Sequence, residues 1–263
     1  GVGDAARRFG VRHHPHLARN EYGTPLIDHM FRTGEALAQC PVICYVNADI
    51  ILFSDLMEAL RAVRRHFPDG KLFAAGKRWN ITLTGPLDMT DPSWEKDFRA
   101  RLAREGKQDR FCTVDYFLFT KGVFDHIPPF ALGRNLWDNW LLAYVRARRV
   151  PFVDVTDGVC AVHQNHDYSH ARFDVEGGRG PEVLRNKELC RGDCRFGSLL
   201  DAGYVLTDGA VRPAPFGRAI TRWRFVALSS LWSFVTDNQR VRAHPLVDRF
   251  VASLRRLIAR RYA

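Results

Sequence analysis

The chain has 263 residues, 39 Lys and Arg against 29 Asp and Glu, a net charge of +10 and 46% hydrophobic residues. That apolar fraction can fill a core while the charged residues keep the surface wet, which excludes disordered, collagen-like and fibrous chains. The length sits near the roughly 250–300 residues at which one core stops growing, so one large domain, or a main domain with an appendage, is expected.

No run of ~18 apolar residues could cross a bilayer, and no basic start leads into a short apolar stretch, so a cytoplasmic protein is expected. The chain opens on Gly1, which is compatible with removal of a leading segment that carried a signal. Six cysteines are too few to staple a chain of this size. Cys40, Cys44, Cys112 and Cys160 stand among apolar neighbours and read as small core residues. Cys190 and Cys194, a C-x3-C pair without a second pair, read as a local disulfide or two thiols rather than a zinc site.

Strand and helix patterns alternate from residue 24 onward. Residues 24 to 39 have helical spacing behind Thr24-Pro25, which suits an N-cap and first-turn proline. Residues 42 to 46 (VICYV) form an unbroken apolar run, as in a strand covered on both faces of a parallel sheet, and Asn47 and Asp49 follow it. Residues 55 to 67 are helical with Asp55 as cap, 71 to 76 a strand, 93 to 105 a helix and 112 to 119 a strand. A helix over 136 to 148 and strands over 151 to 155 and 159 to 163 follow. A short helix is expected near 181 to 190, then longer ones over 216 to 235 and 244 to 261. The alternation predicts an α/β layer fold with a mostly parallel sheet over residues 1 to 200, and a basic helical extension over 201 to 263.

The charge belongs to that extension. From Arg218 to the end stand ten arginines against Asp237 and Asp248, so eight of the ten net positive charges lie there. Arginines beside apolar, Trp-bearing helical faces suit peripheral contact with an anionic membrane. The aromatic residues Trp223, Phe225, Trp232 and Phe234 read as a packing stripe, and no nucleic-acid partner is expected.

Three constellations could carry chemistry. Ligands of open α/β sheets bind beyond the carboxyl ends of strands, which is where Asn47-Ala48-Asp49 stands. Asp49 either holds a divalent cation against a diphosphate or caps a helix. Trp137-Asp138-Asn139-Trp140 opens a helix. A carboxyl between two indoles feels apolar walls that raise its pKa, and the indoles offer flat surfaces to a sugar; the alternative is a helix-start Asp beside two core rings. Residues 163 to 170 hold His163, His166 and His170 after an apolar strand, a density that favours ligation or proton transfer over structure.

Taken in order, RNEYGTPLIDHMF, CYVNADIIL, DYFLF, IPPFALGRNLWDNWL and VHQNHDYSH resemble a bacterial-type, family 2-like nucleotide-sugar glycosyltransferase of the GT-A fold, over roughly residues 1 to 190. The resemblance implies a Mn²⁺- or Mg²⁺-dependent transfer of a sugar from a nucleotide-diphosphate donor, UDP-sugar foremost, to a hydroxyl acceptor such as a glycan. The family's Asp-x-Asp motif falls on Asn47 and Asp49, with the first acid replaced by an amide. Asp49 would hold the metal, with His163 or the competing His166. Arg19 and Asn20 correspond to nucleotide contacts, and Asp115 and Tyr116 to donor-sugar and acceptor contacts. Asp138 matches the acid that deprotonates the acceptor or orients the donor sugar, flanked by Trp137, Asn139 and Trp140 on the acceptor side. The family's leading base-binding unit is not matched, since the chain opens at the element after it, so a bare sheet edge is expected. The single acid and that missing unit favour an alternative, a catalytically degenerate sugar-nucleotide or glycan binding module.

Overall fold

The computed structural model of the chain describes residues 1–166, 180–190 and 196–237, with side chains of the final helix described as far as residue 231. In chain order the elements are α1 (Val2–Arg8), α2 (Ile27–Leu37), β1 (Val42–Val46), β2 (Ile50–Leu52), α3 (Asp55–His66), β3 (Phe73–Ala75), β4 (Trp79–Ile81), α4 (Trp94–Glu105) and β5 (Lys107–Gln108). There follow β6 (Tyr116–Thr120), α5 (Trp137–Ala147), β7 (Phe152–Asp154), β8 (Ala161–Gln164), α6 (Pro181–Leu189), β9 (Tyr204–Thr207), β10 (Ala210–Pro213) and α7 (Phe216–Asp237). None of the described helices is long and apolar enough to cross a membrane.

Two sheets result, ordered β1-β6-β3-β7-β9-β10 and β2-β8-β4-β5. The fold is α/β with helices against mixed sheets, and the mostly parallel sheet expected from the alternation is corrected. Parallel pairing joins β3 to β7, β7 to β9 and β4 to β8, and the other ladders are antiparallel. An apolar run fixes that a strand is covered but not which way its neighbour runs. β1 is the edge strand rather than a central one, with Cys44 and Val46 exposed, while β6 is buried at all five residues.

The side-chain period of two sorts β6 and β3 between two cores. Phe117, Phe119, Phe73 and Ala75 face the core shared with α2 and α5, while Tyr116, Leu118 and Ala74 face the core shared with α3. Each buried Phe contributes about 1.5–3 kcal/mol relative to exposure. A third cluster packs α4 on the smaller sheet through Phe98, Leu102, Ile81 and Val162.

Two helix starts differ from expectation. α2 begins after Leu26 because Pro25 and Leu26 bridge to Arg19 and Ala131, which holds them extended. α3 is preceded by Ser54, and the Asp55 carboxylate instead takes Arg99 at 2.8 Å and the Cys160 N–H at 2.9 Å. Cys40 and Cys44 are exposed rather than in the core, Cys160 and Cys190 are buried, and Cys194 lies outside the described residues. The boundary expected at residue 200 cuts the larger sheet, whose last two strands are β9 and β10. α7 starts beyond them, and the helix expected over 244 to 261 lies outside the described residues.

Candidate functional site

The antiparallel register of β2 against β8 pairs Ile50 with His163. Asp49, one residue earlier, therefore stands where β8 runs out into Gln164, whose N–H reaches the Asp49 carbonyl at 3.4 Å. Asp49 Oδ2 lies 3.4 Å from His163 Nε2 and 3.1 Å from His166 Nε2. One ligand atom from each residue lies within 4.8 Å of the others. His163 and His166, competing assignments in the sequence, thus converge on the same carboxylate. Burial, and then the nearby Arg78 charge, lower the His163 pKa, with Asp49 opposing, so the imidazole is held towards the neutral form a metal ligand requires. His170 lies outside the described residues.

Asp49 and His166 face a cavity of about 700 Å³ that Asn47, Asp115, Arg134 and Asp138 also line. Tyr45, Asn47 and Asp115 of its lining belong to a hydrogen-bonded chain. Tyr45 donates its hydroxyl to Asn47 Oδ1 at 2.8 Å, Asn47 Nδ2 donates to Asp115 Oδ1 at 2.7 Å, and Arg78 Nη1 donates to Asp115 Oδ2 at 2.6 Å. Arg78 Nε reaches Asp109 at 3.2 Å, and Asn80 Nδ2 donates to the same oxygen at 3.0 Å. Asn47 is therefore a connector between strand ends rather than a member of the cation cluster. An amide suits that place, since it accepts from Tyr45 and donates to Asp115 at once. Burial raises the Asp115 pKa, and Arg78 counters it.

Asp138 lies in the first turn of α5. Burial, reinforced by the Asp115 charge and opposed by the Asn139 backbone N–H, pushes its carboxyl up to about 7. The preceding residue, Leu136, has φ +84°, a left-handed conformation that costs a bulky side chain of order 1–3 kcal/mol and commonly marks a functional turn. The loop before it is pinned: Ile27 N–H donates to Phe130 O at 2.9 Å, and Asn186 of α6 holds both Ala131 N–H (2.9 Å) and Ala131 O (3.1 Å).

Other expected contacts are placed elsewhere. Trp137 abuts the cavity but is buried against Tyr45 and Phe117, ring centroids 5.4 and 5.9 Å away. Trp140 stacks on Tyr144 in the core at 4.9 Å, and Asn139 donates to Gly197 O (2.8 Å) and Cys112 O (3.2 Å), so neither lines the cavity. Tyr116 is wholly buried on the opposite side of β6, its hydroxyl against Gly76. Arg19 is exposed and donates to Gly23 O at 2.7 Å. Asn20 shapes its own turn through Tyr22 and Thr24 N–H groups and donates to Glu182 Oε1 at 2.5 Å. None of these three lines the cavity.

Arg78 and Arg134 were missed in the sequence. Arg134 grips the buried Glu182 at 2.6 Å through Nη2 and 3.0 Å through Nε, at the cavity wall. Its place between Gly133 and Asn135, in the loop that leads into the Trp-Asp-Asn-Trp string, was the only signal; nothing in the sequence marks Arg78. No family model, curated protein or solved structure matches the chain.

Proposed function

We propose that this chain is a divalent-cation-dependent glycosyltransferase of GT-A type that moves a sugar from a nucleotide-diphosphate donor to a hydroxyl acceptor. The observation that carries the reading is the convergence of Asp49 with His163 and His166, from strands far apart in sequence, on the cavity that also holds Asp138. One carboxylate and two imidazoles fit Mn²⁺ better than Mg²⁺, which takes oxygen ligands. Two ligands about 2.1 Å from an octahedral ion and at right angles lie about 3 Å apart, near the observed 3.1 and 3.4 Å. Asp49 Oδ1 is buried with no hydrogen-bond partner, an orphaned acceptor that a cation would satisfy.

A bound cation supplies positive charge beside the diphosphate as negative charge builds on the leaving group. The chain's own residues do the rest. Asp49, His163 and His166 fix where the diphosphate lies, and Arg134 adds a guanidinium to the same wall. Asp115, held by Arg78 and Asn47, keeps a fixed acceptor facing the donor side. Asp138 accepts the acceptor hydroxyl proton at its carboxylate in an inverting course, or holds the donor sugar in a retaining one. With a pKa about 7, it is a stronger base than an ordinary carboxylate while remaining largely ionised just above neutrality.

The test is release of UDP from UDP-sugars with Mn²⁺, with and without a panel of glycan acceptors, alongside direct titration of donor binding. Cation-dependent release that disappears in Asp49→Asn supports the transfer reading. Donor binding without release, in every acceptor, converts the reading to a binding module. Absence of both ends it.

A further inference from the structure

α7 carries its polar and apolar sides the wrong way round for a helix lying on a protein. Arg218 and Arg222 turn inward, pairing with the buried carboxylates Asp154 and Asp201, and Phe225 packs edge-on against Phe111 with centroids 5.0 Å apart. Those three, spaced i, i+4 and i+7, fasten the helix to the body. The opposite stripe, also at helical spacing, is apolar and open to solvent: Phe216 is 82% exposed, Ile220 46%, Trp223 70% and Leu231 43%. The packing role expected of the tail aromatics therefore holds for Phe225 and not for Trp223.

We infer that this stripe of α7 seats on an anionic lipid surface, with Phe216, Ile220, Trp223 and Leu231 at the depth of the acyl boundary. The charge beside it selects that occupant. Residues 216 to 231 contain no acid, and Arg224, directly after Trp223 on the same helix, is exposed. The chain beyond residue 231 adds seven arginines against Asp237 and Asp248. Each basic side chain near an anionic bilayer strengthens binding roughly fivefold, and a Trp-bearing apolar face adds burial at the interface. A self-associating face of the same make-up would bring two sets of arginines together, which charge disfavours. The inference does not depend on the chemistry assigned to the cavity, and its failure leaves that reading intact.

The test is sedimentation of the full chain with vesicles of phosphatidylcholine alone and of phosphatidylcholine with about 30% phosphatidylglycerol. The expected result is at least roughly tenfold stronger partition onto the anionic vesicles, lost in about 1 M NaCl, where screening shortens to about 3 Å. Phe216→Ser/Trp223→Ser, with unchanged circular dichroism because both side chains are exposed, lowers the anionic partition at least about tenfold. Three outcomes overturn the inference: equal partition onto both vesicles or none onto either, full binding by the double variant (charge alone then suffices), or a dimer in sedimentation velocity that the double variant abolishes, which assigns the stripe to a second copy.

Discussion

Asp138 is neutral in the folded chain over a pH range in which an ordinary carboxyl is ionised, because its pocket raises the pKa from 3.8 to about 7. Two pH effects follow. If it is the base, turnover at saturating cation rises about tenfold per pH unit below 7 and levels off above, and Asp138→Asn removes both that slope and about 10²–10⁴ of the rate. For stability, the acid is protonated in both states below 3.8, and as pH rises through 3.8 the unfolded chain ionises first. The folded state therefore loses ground until pH passes about 7, where it too ionises and the loss stops growing. Asp138→Asn is accordingly the more stable protein at pH 8 and not at pH 3.5, as urea denaturation at the two pH values would show. An equal effect at both would place the carboxyl in water.

The neighbouring Asn47 shows what a motif leaves open about one residue. Its position in CYVNADIIL invites comparison with a metal-binding acid, but its amide is occupied by Tyr45 and Asp115. Asn47→Asp would set two carboxylates at hydrogen-bond distance with no donor between them. The expected result is a loss of about 1–3 kcal/mol of stability without tighter Mn²⁺ binding, read from thermal melts and isothermal titration. Tighter binding by this variant would return position 47 to the cation site.

At the scale of elements, α5 is the part that carries Asp138, and its seat is set by close backbone contact. A Cβ on Gly197 would run into the Asn139 carbonyl oxygen and come within 2.7 Å of the Ala143 nitrogen. Gly197→Ala must push the 197 segment or α5 aside, costing about 1–3 kcal/mol. The expected variant is less thermostable and slower in turnover, with Mn²⁺ affinity unchanged because His163 lies in β8 and Asp49 and His166 flank β2 and β8, away from α5. Reduced cation affinity would instead mean that the two halves of the site move together. α5 itself was legible, since Trp137, Trp140, Leu141 and Val145 mark one face at helical spacing. The three-residue strands β2 and β4 were not: Ile50–Leu52 and Trp79–Ile81 are too short for a period to show, and only their pairing within the smaller sheet defines them. Because β2 places Asp49, the sequence could nominate Asp49 and two histidines but not bring them together. Arg78 and Glu182 were illegible for the same reason, their meaning lying in partners 37 and 48 residues away in sequence.

At the scale of the molecule, the cation cluster sits at a junction. β1 belongs to the larger sheet and β2 to the smaller, and Asp49 lies in the short link between them, while His163 and His166 lie at the end of β8 in the smaller sheet. A cation held there would tie the inter-sheet link to β8 and bind only the folded chain, since the unfolded chain holds these ligands far apart. Mass action then stabilises the fold by about 2.7 kcal/mol when the cation is at 100 times its Kd. For a chain of this size that corresponds to a rise in Tm of roughly 5–10 °C. Mn²⁺ should raise the Tm of the wild type in proportion to the logarithm of its concentration above Kd, and Ca²⁺, which takes longer bonds and more oxygen ligands than this histidine-rich set offers, should do so less. Asp49→Asn should abolish the Mn²⁺ response, whereas Asp138→Asn should keep it. A wild type whose melting is indifferent to Mn²⁺ at millimolar concentration would leave Asp49 and its histidines as a hydrogen-bonded trio and remove the cation from the proposed reaction.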